Sequence, residues 1–135
     1  MSLPVISGGD IRPARFIKLS TAADHTVLEA DANERVFGVS IDAAQDAPIP
    51  SADGDAADAG DFFRYLGPEE EATLELADTV VRGDLLVSDA DGKGEPYDDA
   101  ATTVQWIGAE AMESGAAGEK IKVIVKNFPI RPALV

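Results

Sequence analysis

The chain is 135 residues long, and its 25 acidic side chains outnumber its 11 basic ones for a net charge of −14. That balance disfavours nucleic-acid phosphates and anionic membranes as partners and favours a partner with a positive face. There is no cysteine, which rules out disulfides and thiolate catalysis, and no run of 18 apolar residues, so no membrane-spanning helix is expected.

The length suits one domain, which would bury roughly two thirds of its unfolded surface. Many of the apolar residues are alanines, which add little burial energy, and a small core invites stabilisation by self-association. Residues 1–15 hold Pro4, Gly8, Gly9 and Pro13 and read as an extended N-terminal arm. Leu3, Val5, Ile6 and Ile11 make this end too apolar to float in water, so they are candidate partner contacts, with packing on its own domain as the alternative. The same stretch lacks the basic region and apolar core of a secretory signal, so export by that route is not expected.

Residues 14–20 (ARFIKLS), 25–30 (HTVLEA) and 35–42 (RVFGVSID) read as the first three strands. Gly38, inside the third, marks a bulge or a close backbone approach. Residues 42–60 form a long acidic loop with Pro48 and Pro50, a length that in a compact domain is functional or disordered. Residues 61–66 (DFFRYL) are an aromatic strand with two apolar faces. It is either central or covered by a neighbouring subunit, and the second reading makes Phe63 and Tyr65 partner contacts; core burial is the alternative. Residues 67–71 (GPEEE) would suit a helix start, but 72–77 (ATLELA), with Leu74 and Leu76 on one face, reads as a strand.

Strands at 84–88, 104–112 and 120–128 bring the count to about eight, cut by turn residues, which is the pattern of a mainly β sandwich or small barrel. The tail 129–135 has two prolines and is expected to leave the sheet. The single domain would then run over 16–128. Its expected core is Phe16, Ile17 or Leu19, Val36 or Phe37, Leu85 or Val87, Ile107, and Ile121, Val123 and Val125 on one face of the last strand. Gly9-Asp10-Ile11 and Gly83-Asp84-Leu85 each precede a strand, a faint echo that reads either as reused turns or as two similar hairpin layers folded over one another.

No residue stands out for chemistry. His25 is the only histidine and has no nucleophile motif beside it; no HExxH, P-loop or GxSxG occurs. Asp89, Asp91 and Glu95 resemble part of a calcium loop, but Lys93 and Ala100 stand where oxygen ligands belong, and Asp91-Gly92 reads as a hairpin turn. Asp53, Asp55 and Asp58 have no defined frame. Arg82-Gly83-Asp84 reads as a turn rather than an adhesion tripeptide. Trp106 is an interface anchor or, by default, core. No catalytic residue, cofactor or metal ligand is assigned, and the chain is not expected to be an enzyme.

In order along the chain come FIKLS, TVLEA, VFGVSI, GDLLVSDADGKG, IGAE and IKVIV, at 16–20, 26–30, 36–41, 83–94, 107–110 and 121–125. This succession resembles the bacteriophage capsid cement, or head decoration, proteins. The departures are the acidic insert 42–60 and the tail 129–135. The resemblance implies a β-tulip-like or barrel-like fold, no cofactor, frequent homotrimers, and the major capsid protein as partner. It implies a place on the virion, at the capsid surface, reached from the host cytoplasm. The expected function is a decoration subunit that binds the outside of a phage capsid and stabilises the expanded shell. The alternatives are a carboxylate-using trimeric β-barrel enzyme, and a cation- or glycan-binding adhesion module on a fibre.

Overall fold

The computed structural model describes residues 5–9, 11–21, 25–40, 62–63, 65–97 and 104–130. Among these residues there are eleven strands and no helix, as the short apolar segments and frequent turn residues dictate. The strands form two sheets, divided along the chain.

The first sheet holds β1 (Val5–Ser7), β2 (Phe16–Leu19), β3 (Thr26–Glu29), β4 (Gly38–Ser40), β5 (Phe62–Phe63) and β6 (Tyr65–Leu66), in the order β5-β1-β3-β2-β4-β6. β1 runs parallel to β3, and the other neighbours are antiparallel. β5 and β6 are one residue apart in sequence yet stand at opposite edges. Phe62 pairs with Ile6 of β1, and Tyr65 pairs with Ser40 of β4. The segment therefore passes from one edge of the sheet to the other, and the sheet curls until its edges meet. Gly38 lets β6 pack closely on β4. A Cβ there would lie 2.5 Å from the Leu66 carbonyl oxygen and 3.0 Å from the Tyr65 ring, so the close approach read from the sequence is real.

The second sheet holds β7 (Glu71–Glu75), β8 (Leu85–Ser88), β9 (Gly94–Pro96), β10 (Gln105–Ala111) and β11 (Lys120–Ile130), in the order β7-β11-β10-β8-β9. Leu76, just after β7, bridges to Gly94 at the start of β9, so this sheet also bends its edges toward each other. The fold is thus all-β and barrel-like, as expected.

Curling explains the burial pattern. Successive strand residues face opposite ways, yet Phe16 and Ile17 are both fully buried. Phe16 joins Val36 and Val39 in a core shared with Leu74, Leu76, Leu86, Val123 and Val125 of the second sheet. Ile17 lies in a separate inner core with Ile11, Val27 and Tyr65. Leu86 is buried as well as Val87, while Leu19 is 54% exposed, past the reach of the curl. Ile121, Val123 and Val125 are buried and Lys122 is exposed, which is the expected face of β11.

Several expectations are corrected. The stretch read as an extended arm supplies β1 to the first sheet and Ile11 to its core, because β3 and β5 offer its main chain partners on both sides. The strand expected at 14–20 is β2 and begins at Phe16, not at residue 14. Ala14 adopts a left-handed φ of 57°, and its carbonyl accepts from the Glu75 amide at 2.9 Å. His25 is a turn residue with φ 54°. Pro68 and Glu69 form a turn in which the Gly67 amide donates to the Glu70 carboxylate at 2.9 Å, and the strand preferred over a helix start follows as β7. The last strand continues through Pro129 to Ile130. The acidic loop 42–60 and residues 131–135 fall outside the described residues.

Candidate binding surface

Of the residues read from the sequence as partner contacts, Val5, Ile6 and Phe63 belong to adjoining strands, and Ile11 and Tyr65 share the inner core. Val5 pairs with Phe63 and Ile6 with Phe62 along the backbone, so the two groups meet at one edge of the first sheet. Ile11 and Tyr65 are buried in the inner core and are not free to bind a partner, because the curled sheet encloses them. Ile6 is half-buried. Leu3 lies outside the described residues.

The segment after β8 is a turn, as its Asp-Gly pair suggested. The Asp89 carboxylate accepts the amides of Asp91 at 2.9 Å and Lys93 at 2.8 Å, and Gly92 has φ 78°. That carboxylate is occupied by its own backbone. Lys93 reaches Glu75 at 3.4 Å. The Arg82-Gly83-Asp84 stretch is also a turn, with the Asp84 carboxylate accepting the Val81 amide at 2.9 Å. Among the described residues no cluster of three or more His, Asp or Glu side chains is placed to hold a metal.

The open surface lies elsewhere. A groove of about 380 Å³ is lined by Lys18 and Leu19 of β2, by residues 34–37, and by Asn127 of β11. Lys18 donates to Glu34 at 2.8 Å and to Asp31 at 3.1 Å. The hydrogen bond to Glu34 raises the Lys18 pKa against the lowering effect of burial, and Asp31 adds to the rise. The bond from Lys18 in turn lowers the Asp31 pKa. Arg35 lies 5.6 Å over the Trp106 ring in a cation–π contact. Phe37 connects groove and interior, its ring 5.0 Å from Tyr65.

This end of the molecule also presents Leu19, Val104 and Phe128 as exposed large apolar residues. Val81 and Met112, the other two, lie toward the far end of β10. Sequence reasoning missed the groove, because it joins residues more than ninety positions apart. Trp106 was the one available signal.

The groove borders a strand edge. β7 pairs with β11 from Lys120 to Ile124, and β10 pairs with it from Val123 to Val125 and again from Phe128 to Ile130. From Phe128 to Ile130 its strand partner among the described residues is β10 alone, and Lys126 and Asn127 lie in a register shift between the two paired stretches. Trp106 gives its amide to the Asn33 side chain at 3.0 Å, and Asn33 itself bonds Ser88 at the end of β8. Trp106 therefore faces the β8 side, and Gln105 and Ile107 face β11, opposite Ile130 and Phe128. Pro129 falls where no donor is needed, which is why a proline fits inside this strand. By the same alternation Pro129 turns its carbonyl away from β10.

No family model matches the chain, and no curated protein matches it. Among solved structures, it is similar to the N base of head fiber gp8.5 in bacteriophage phi29. The TM-score is 0.58 and the identity 16%, over 93% of this chain and 95% of that one. At this identity the likeness is one of fold.

Proposed function

We propose that the chain is a structural protein of a phage virion that binds the outside of the capsid and stabilises the expanded shell. The observation that carries this reading is the likeness in fold, across nearly the whole of both chains, to a protein of a phage head. The succession of segments that resembles decoration proteins supports it from the sequence side. The mechanism is binding rather than turnover. A subunit that bridges neighbouring capsomers and prefers the expanded lattice shifts the shell toward that state by mass action. A homotrimer would engage several lattice positions at once and gain avidity. The net charge of −14 suits a positive patch on the major capsid protein. The test is sedimentation of the purified chain with expanded and unexpanded shells. Binding to the expanded form, with a rise in the temperature at which the shell breaks, is expected; equal or absent binding to both would end the proposal.

The same likeness favours a second reading, in which the chain is the base of a head fiber. Antibody raised against this chain separates the two. A virion band of 135 residues' size fits a decoration subunit, and a substantially larger one fits a fiber base.

A further inference from the structure

We draw no further inference here: the strongest candidate, the groove between the end of β2, residues 34–37 and Asn127 of β11, carries none, because nothing in the structure shows what covers it.

Discussion

Asn33 adopts a left-handed φ of 52° at the turn that follows β3. Its amide donates to the Ser88 carbonyl at 2.9 Å. Its side-chain Nδ2 donates to the Val104 carbonyl at 2.8 Å, and its Oδ1 accepts the Trp106 amide at 3.0 Å. The carboxamide thus stands in for a strand neighbour at the start of β10, and asparagine is among the few side chains that tolerate this backbone. Asn33→Ala should destabilise the protein by about 2–3 kcal/mol, from two lost hydrogen bonds plus backbone strain. Asn33→Gly loses the same bonds without the strain and should be milder by about 1 kcal/mol. Urea unfolding of both variants checks this, and equal losses would show that the backbone conformation contributes nothing. The role of Asn33 is invisible in the sequence, because its partners lie 71 and 73 residues away and nothing in the local pattern points to them. Gly38 was legible, because a glycine set among strand formers weakens the strand unless a bulge or a close backbone approach requires it.

The joint between the sheets is made by elements rather than by single side chains. The 89–93 turn of the second sheet docks on the start of β2. Phe16 donates its amide to the Gly92 carbonyl at 2.7 Å, and Arg15 donates to the Asp91 carbonyl at 3.0 Å. Arg15 is buried and meets Glu75 of β7 at 3.2 Å, while its Nε finds no acceptor. Such a pair is weak evidence of net stability, yet breaking it from one side strands a buried charge. Glu75→Ala should therefore lose about 2–3 kcal/mol, and Arg15→Met should stay within about 1 kcal/mol of the parent chain. Chemical denaturation compares them, and the reverse order would mean that the guanidinium, not its packing, holds the joint. β9 adds a pH dependence. Burial raises the Glu95 pKa above its ordinary value of 4.5, and the charges of Asp89 and Asp78 push the same way. The folded state then holds the proton more tightly than the unfolded chain does. The penalty is absent below the ordinary value and complete above the raised one. Glu95→Gln should accordingly be more stable than the parent at pH 7, with the gain vanishing below about pH 4.5; a gain that persists at low pH would assign it to something other than charge. β10 and β11 could be read from alternation because they are long. β1 (VIS) and β9 (GEP) could not, since three residues beside Gly or Pro show no period, and only their neighbours make them strands.

At the scale of the whole molecule, curling decides what alternation alone leaves open. Phe16 and Ile17 are both buried because one faces the shared core and the other the inside of the curl. From sequence the same pair offers only a choice of face. The binding surface was hidden for a similar reason. The groove exists only where β2, the 34–37 segment and β11 converge, and the sequence drew attention instead to Ile11 and Tyr65, which the curl encloses. The larger core takes residues from both sheets, Phe16, Val36 and Val39 from one and Leu74, Val123 and Val125 from the other. The first sheet therefore buries its outer apolar face only against the second. Neither sheet has a way to keep that surface dry alone, so the two should unfold together. Trp106 is the single tryptophan and reports on the second sheet, while exchange at the Ile17 and Val27 amides reports on the first. Fluorescence of Trp106 in urea and the unfolding free energy from exchange at those amides should give one midpoint and one stability. If Ile17 and Val27 open at a clearly lower free energy while Trp106 stays native, the inner core of the first sheet is a separate unit, and the contact through Phe16 is too weak to couple them.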